Sequence, residues 1–352
     1  GSEDLRDPAC YTIRMPRLAS RANPARPLPP TDLVIFGATG NLALQYLLPA
    51  LVALEARGQL PANLRIIGTS RKHLTPQAWL ALFQESCPTA TFPTALLSRF
   101  RKRLRYMPAD IADPASFTGL AEALAGKARG PHRCANRLFY LATAPELFAP
   151  TVRLLRAQGL ADACRSHGRE ARILLEKPFG TDLASARALN RTALASFRER
   201  QVYRIDHYLG KETVQNLQAV RFANDFLEPL WNADHIDHVE ISALEAAGVG
   251  DRLGFYDQTG ALKDFVQNHL LHVLALVAMD RPRTLSADHV RDQKVRVLKA
   301  LRPFVPATLA GSVVRGQYGK GKGGPGYRDE AGRSSATETF IALKTFVDLP
   351  RW

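Results

Sequence analysis

The sequence predicts an α/β protein in which a doubly wound parallel sheet precedes a second domain of α+β character. Two observations carry that expectation. From Asp32 to about residue 175, short apolar runs alternate with helix-periodic stretches, the pattern of successive βαβ units. Beyond Gly180 the pattern changes, and strand-like segments at Val239–Ala243 and Thr339–Lys344 flank a helix-like segment, Leu262–Met279. A chain of 352 residues is also long enough for two domains of roughly 100–200 residues each.

Taken in order, residues 1–30 are rich in Pro and Arg with no apolar period, and read as a flexible tail. Residues 31–180 form the first folded domain. Leu33-Val34-Ile35-Phe36 is a short apolar run ending in Gly37, as expected of a strand buried on both faces. Residues 42–57 have helix periodicity. Leu64-Arg65-Ile66-Ile67-Gly68, Arg137-Leu138-Phe139-Tyr140-Leu141-Ala142 and Arg172-Ile173-Leu174-Leu175 read as further strands. Residues 181–352 form the second domain, in which Gly316–Gly326 holds six glycines and is expected to be an irregular loop.

Composition excludes several classes. No uncharged apolar run approaches the 18 residues of a membrane span, so no membrane partner is expected. Cys10, Cys87, Cys134 and Cys164 are scattered with no C-x-x-C pair, so neither a disulfide framework nor a metal site reads from their spacing, and a reducing, cytoplasmic setting is expected. The formal charge of +14 favours anionic ligands. The densest basic run, Arg99 to Arg105, sits in a helix-like stretch without aromatic platforms. It reads as a solvated helix face, and no nucleic-acid partner is expected.

Gly37-Ala38-Thr39-Gly40-Asn41-Leu42-Ala43 follows the first strand and opens a helix. Glycines there let the backbone approach a pyrophosphate whose charge rests on the helix N-terminus, as in a Rossmann-like dinucleotide site. The spacing is G-x-x-G-x-x-A, so the strand–turn–helix context carries more of the reading than the glycines do. The second strand ends Gly68-Thr69-Ser70-Arg71-Lys72. Two cations with no carboxylate suit the 2′-phosphate of NADP, whereas a carboxylate there would bind the ribose hydroxyl of NAD.

Two further segments carry reactive side chains. Tyr203-Arg204-Ile205-Asp206-His207-Tyr208-Leu209-Gly210-Lys211 offers fixed positive charge and a hydroxyl, the groups a phosphate site needs. Asp264-Phe265-Val266-Gln267-Asn268-His269 opens an apolar helix. A histidine there, paired with a carboxylate, can take the hydroxyl proton of a carbinol as hydride leaves its carbon.

From Asp32 to Trp352 the chain resembles the glucose-6-phosphate dehydrogenase family of the bacterial type. The resemblance rests on Val34-to-Ala43, Arg137-to-Ala142 with Pro145, Glu176-Lys177-Pro178-Phe179-Gly180, Tyr203-to-Lys211, Gln215-Asn216-Leu217, Arg221-Phe222-Ala223-Asn224, Gln267-Asn268-His269-Leu270 and Arg291-Asp292-Gln293-Lys294-Val295. It implies oxidation of D-glucose 6-phosphate to 6-phosphoglucono-δ-lactone with NADP as cofactor. His269 would be the general base and Asp206 its orienting carboxylate. His207, Tyr208 and Lys211 would bind the substrate phosphate, Glu245 and Asp264 the sugar hydroxyls, and Lys177 both substrate and cofactor. Gly37, Ala38, Thr39, Gly40, Asn41 and Leu42 would form the cofactor turn, with Arg71 on the 2′-phosphate. Pro145 would shape the cofactor side of the site, often in this family through a cis peptide. The second domain is implied to carry a large, mostly antiparallel sheet across which a homodimer forms.

The chain also departs from the family pattern. Asn41 replaces the fingerprint aspartate, although Asn can still cap the helix. Tyr46 falls on a lysine that the family places near cofactor and substrate, and it cannot supply that charge. Ala144 replaces the first proline of a Pro-Pro pair, and Lys263 stands where arginine is common. The family continues past the Arg-Trp matching Arg351-Trp352, so the second sheet is expected to be incomplete, with an unpaired edge. Two alternatives follow: a catalytically weakened homologue serving as a cofactor-binding or regulatory subunit, or an enzyme of the glucose–fructose oxidoreductase type. The latter lacks the Asp-His-Tyr-Leu-Gly-Lys block.

Overall fold

A computed structural model describes residues 29–86, 92–125, 134–162, 168–321 and 324–352; the expected tail thus lies almost wholly outside the described residues. The chain divides into two compact units, Gly1–Ile205 and Asp206–Trp352.

The first unit is built on six parallel strands: β1 (Thr31–Phe36), β2 (Leu64–Thr69), β3 (Leu104–Tyr106), β4 (Asn136–Leu141), β5 (Ala171–Leu175) and β6 (Val202–Arg204). Their order across the sheet is β3-β2-β1-β4-β5-β6, the doubly wound arrangement, with the order reversing between β1 and β4. Six helices connect them: α1 (Leu48–Ala56), α2 (Pro76–Ser86), α3 (Thr94–Arg101), α4 (Phe117–Ala125), α5 (Phe148–Ala157) and α6 (Leu183–Ser196). Because successive side chains of a strand point to opposite faces, β1 sends Val34 and Phe36 into one core and Ile35 into the other. Helices α4, α5 and α6 cover the first face with Phe117, Val152 and Ala193. Helices α1, α2 and α3 cover the second with Val52, Trp79 and Phe100.

The expected boundary near Gly180 falls instead at Ile205–Asp206, because α6 and β6 complete the parallel sheet. Asp182 caps α6 by accepting from the Ser185 backbone N–H at 2.7 Å, while Ser185 Oγ accepts from the Asp182 N–H at 3.0 Å. The basic run is not simply a solvated helix face. Arg99 and Arg103 both donate to the buried Glu55 carboxylate, at 2.8 and 2.9 Å, and residues 104–106 are strand rather than helix. Cys134 is disulfide-bonded, which the scattered spacing did not suggest.

The second unit contains α7 (Glu212–Phe222), α8 (Leu253–Ala261), α9 (Leu271–Ala278) and α10 (Ala287–Lys299), with β7 (Val313–Gly316) antiparallel to β8 (Phe340–Leu343). Val214 and Phe222 of α7, Ala275, Leu276 and Ala278 of α9, and Val297 of α10 form its core. Helix α9 ends inside the protein, where its last carbonyls have no intrahelical donors. The guanidinium of Arg221, which is 1% exposed, donates to the carbonyls of Leu276, Val277 and Met279 at 2.8–3.0 Å. The indole N–H groups of Trp231 and Trp352 donate to Val277 and Ala278. Val239–Ala243, expected as a strand, is irregular and largely exposed. Among the described residues no ladder partner accompanies it, and β7 with β8 is the second unit's only sheet rather than the large one implied. The described residues between Gly316 and Gly326 are irregular as expected apart from a Gly321–Gly324 bridge. Among the described residues no helix is long and apolar enough to cross a membrane.

A polar knot ties α8 to the residues before β8. Asp257 accepts from Tyr327 Oη at 2.7 Å, and from Ser335 Oγ and the Arg333 guanidinium at 2.5 Å each. The Ser335 and Tyr327 hydroxyls, assisted by Arg333, hold the Asp257 carboxyl down at about 2. A depressed carboxyl stabilises the fold above its unfolded value and loses that contribution as it protonates. Asp257→Asn is therefore expected to lower the melting temperature at pH 7, with the gap to wild type closing as pH falls from about 4 to 2; a pH-independent gap would contradict it. Arg221→Met leaves the end of α9 without its donors. A loss of ~3–5 kcal/mol is expected in urea unfolding of the second unit, and a loss under ~1 kcal/mol would contradict this role.

Candidate functional site

The cofactor-type residues all lie in the first unit, at the end of its sheet where strand order reverses. Gly37 leaves β1 with φ 76°, and a Cβ there would lie 2.4 Å from the Ala142 carbonyl oxygen, so only glycine fits. The Gly37 and Ala38 N–H groups donate to Thr69 O at 3.0 and 3.1 Å, and Gly40 N–H donates to Gly37 O at 2.9 Å. Residues Leu42–Leu47 then form a wide π-helical turn leading into α1. Asn41 takes helical angles and makes no side-chain cap, contrary to expectation; glycine geometry and backbone bonds hold this turn. Tyr46 is exposed.

An aromatic residue also joins this turn to the end of β2. Trp79 Nε1 donates to Ala38 O at 2.8 Å, and its ring lies against Gly68, where a Cβ would come within 2.5 Å of it. Thr39 Oγ1 donates to Ser70 Oγ at 3.3 Å; Ser70 shares a 2.7 Å hydrogen bond with Tyr106, whose hydroxyl also donates to Lys72 O. Arg71 and Lys72 project from this braced segment and are both exposed. A glycine cradle beside β1 and exposed cations past β2, with no carboxylate in the β2 terminus, fit a dinucleotide carrying a 2′-phosphate.

Pro145 opens a short 3-10 turn after β4. The cis peptide is not there: among the described residues it is Lys177–Pro178, after β5. Lys177 is half-buried and follows Glu176, whose carboxylate accepts a short hydrogen bond from Tyr140 Oη.

The substrate-type residues lie in the second unit. Asp206 precedes a 3-10 turn, His207–Gly210, and caps it by accepting from Tyr208 N–H at 3.0 Å through Oδ1. The same oxygen lies 2.5 Å from His269 Nδ1. Both side chains are buried, 8% and 1% exposed. Burial alone would raise the Asp206 carboxyl; the hydrogen bonds from His269 and the Tyr208 backbone outweigh it, with help from the nearby charge of His272, and hold it below its ordinary value. With Nδ1–H donated to Asp206, the lone pair falls on His269 Nε2, which is buried and has no hydrogen-bond partner among the described residues.

Rings frame that imidazole. Tyr208 stacks on it at 4.2 Å between centroids, and His207 and Phe265 meet it edge-on at 4.6 and 5.2 Å. Lys211 Nζ sits 3.8 Å from the Tyr208 ring centroid. The arrangement gathers a carboxylate-paired base, a hydroxyl and an exposed cation.

His269 and Asp264 share the π-helical segment Leu262–Leu270 that runs into α9. Its i→i+5 hydrogen bonding makes residues five apart near neighbours, so both are buried on one side. Asp264 also accepts from the Arg252 guanidinium at 2.9 Å, a partner the sequence reading missed because the twelve-residue separation has no local signature. Glu245 is not drawn into the cluster: it lies on the exposed irregular stretch before α8 and makes no hydrogen bond among the described residues.

The family profile "Glucose-6-phosphate dehydrogenase, NAD binding domain" matches residues 34–216, and "Glucose-6-phosphate dehydrogenase, C-terminal domain" matches residues 218–352. The glucose-6-phosphate 1-dehydrogenase of Gluconobacter oxydans is 44% identical over 331 residues, which are 92% of this chain and 66% of the relative. The chain thus spans just under two thirds of that relative's length. Its fold is similar to the crystal structure of glucose-6-phosphate 1-dehydrogenase from Mycobacterium avium, with TM-score 0.79, 39% identity, and coverage of 92% of this chain and 67% of that one. A glucose-6-phosphate dehydrogenase solved in complex with its substrate glucose 6-phosphate superposes with TM-score 0.82 at 32% identity, covering 92% of this chain and 66% of that one. With family matches spanning both units and the sheet order above, the chain belongs to the glucose-6-phosphate dehydrogenase family.

Proposed function

We propose that this chain oxidises D-glucose 6-phosphate at C1 to 6-phosphoglucono-δ-lactone, using NADP⁺. The observation that carries the reading is the Asp206–His269 hydrogen bond of 2.5 Å, which leaves a buried, unengaged Nε2 beside His207, Tyr208 and Lys211. When bound, NADP⁺ supplies the acceptor for the hydride that leaves C1. His269 Nε2 takes the C1 hydroxyl proton as the C1–H bond breaks and the C1–O bond becomes the lactone carbonyl. Asp206 keeps the imidazole in the productive tautomer and stabilises the imidazolium that forms. Stacking on Tyr208 fixes the ring plane.

Lys211, His207 and Tyr208 hold the phosphate, the lysine as a point charge and the other two as hydrogen-bond donors. Asp264 orients a sugar hydroxyl while Arg252 neutralises part of its charge. Glu245 is assigned a second hydroxyl contact on the family pattern alone. In the first unit, Gly37 to Leu42 cradle the pyrophosphate and Arg71 binds the 2′-phosphate, with Lys177 and Pro145 completing the ligand sets. The reaction takes place in the cytoplasm, and a homodimer built through the second unit is the expected assembly where its sheet is completed.

NADPH absorbance with purified chain tests the activity. His269→Asn is expected to lower kcat by about 10²–10⁴ while glucose 6-phosphate still binds within a few-fold. A comparable loss of binding would remove the general-base assignment. Arg71→Ala is expected to weaken NADP binding by roughly 1.5–3 kcal/mol and leave NAD binding unchanged. An unaltered NADP-to-NAD ratio would overturn the 2′-phosphate contact.

A further inference from the structure

Arg71, the proposed 2′-phosphate ligand, sits on an exposed turn whose root is held by a buried hydroxyl. Tyr106 ends β3 opposite Gly68 of β2, is 9% exposed, and lays its ring against Trp79 at 5.6 Å between centroids. Its Oη lies 2.7 Å from Ser70 Oγ and 3.0 Å from Lys72 O, so it contacts both chain neighbours of Arg71. Lys72 N–H closes the turn by donating to Ser70 Oγ at 3.1 Å. Ala109 N–H, beyond β3, donates to the Ser70 carbonyl at 3.0 Å and ties it down. The proposed reaction gives neither Tyr106 nor Ser70 a task.

The protons of these hydroxyls have one consistent arrangement. A carbonyl oxygen only accepts, so the Tyr106 proton goes to Lys72 O. Ser70 then donates to Tyr106 Oη, and Ser70 Oγ accepts from Lys72 N–H and from the Thr39 hydroxyl at 3.3 Å. The chain runs in one direction, from Thr39 in the glycine turn through Ser70 and Tyr106 to the Lys72 carbonyl, and such chains strengthen their members. Its hold falls on the residues past β2, where a 2′-phosphate and a 2′-hydroxyl are told apart. The amides of Gly37, Ala38 and Gly40 bond elsewhere, to Thr69 O and Gly37 O.

We propose that Tyr106 is a positioning residue for cofactor selection: its hydroxyl clips Ser70 to Lys72 and fixes the turn that presents Arg71 and Lys72 to the 2′-phosphate, so that NADP⁺ is favoured over NAD⁺. A long cation whose backbone is set before the ligand arrives loses less freedom on binding it. The inference rests on the reading of the cations past β2 as the 2′-phosphate site, and the test lets the Arg71 assignment and the Tyr106 role fail separately.

Isothermal titration calorimetry on the full chain gives dissociation constants for NADP⁺ and NAD⁺ in wild type, Tyr106→Phe and Arg71→Ala. Phenylalanine keeps the ring against Trp79 and removes the hydroxyl alone. Tyr106→Phe is expected to weaken NADP⁺ about 3- to 10-fold, the range of an ordinary hydrogen bond or two, and to leave NAD⁺ within about twofold. A hydroxyl that served packing alone would change both dinucleotides together or neither. Either of those results overturns the inference, whatever Arg71→Ala does. A selective loss in Tyr106→Phe beside an unaltered NADP-to-NAD ratio in Arg71→Ala preserves the inference and moves the phosphate contact from Arg71 to Lys72. Circular dichroism checks folding. Should Tyr106→Phe not fold, Ser70→Ala removes the middle hydroxyl of the chain; the same selective loss is expected of it, and an unaltered ratio overturns the inference.

Discussion

Helix α9 has to end in the interior of the second unit, and the unit is organised around how its last carbonyls are satisfied. Arg221 reaches from α7 to three of them, the Trp231 indole shares that of Val277 and the Trp352 indole takes that of Ala278. Arg351 extends the same network by bonding Trp231 O, Glu228 and Asp280. Burying a guanidinium costs several kcal/mol, and dense donation to carbonyls together with the Glu228 carboxylate offsets it. Because the segment bearing His269 runs directly into α9, this anchoring also fixes where the proposed base can be.

The pair itself illustrates why burial and hydrogen bonding are arranged together. A carboxylate that is 8% exposed would be driven toward its neutral form in apolar surroundings. Three sources of positive potential prevent this: the Nδ1–H of His269, the Tyr208 amide, and the charges of the flanking side chains. An ionised Asp206 in turn selects one imidazole tautomer. Removing water from these groups strengthens each interaction, so the geometry of a few side chains substitutes for solvent.

Much of the first unit was legible in the sequence because its information is local. Apolar runs such as Leu33–Phe36, the glycines after them and the cations past Gly68 announce strand, turn and strand end without reference to anything distant. The dense block from Asp206 to Lys211 and the Gln-Asn-His segment were legible for the same reason. What could not be read depends on partners. Val239–Ala243 has the composition of a strand, yet a strand exists only where another pairs with it. Arg221 has the look of a surface arginine on an amphipathic helix, and its burial follows from where α9 stops, its first carbonyl partner Leu276 lying 55 residues later. The charge run from Arg99 to Arg105 hid the acceptor Glu55, far upstream. The π-helical turn, which places Asp264 and His269 on one side, leaves no trace in a pattern read at the ordinary helical period.

Trp79 acts as a gauge block in the first unit. Its indole N–H grips the glycine turn and its ring bears on Gly68, so a rigid side chain, together with the bonds to Thr69 O and between Thr39 and Ser70, sets the distance from that turn to the end of β2. Arg71 and Lys72 stand just beyond that fixed length, exposed and outside the packed core. On the proposed reading of these residues, cofactor choice is thereby separable from cofactor anchorage. Evolution can rewrite the two outward residues, trading a phosphate-seeking cation for a hydroxyl-seeking carboxylate, without disturbing the turn that holds everything the two dinucleotides have in common.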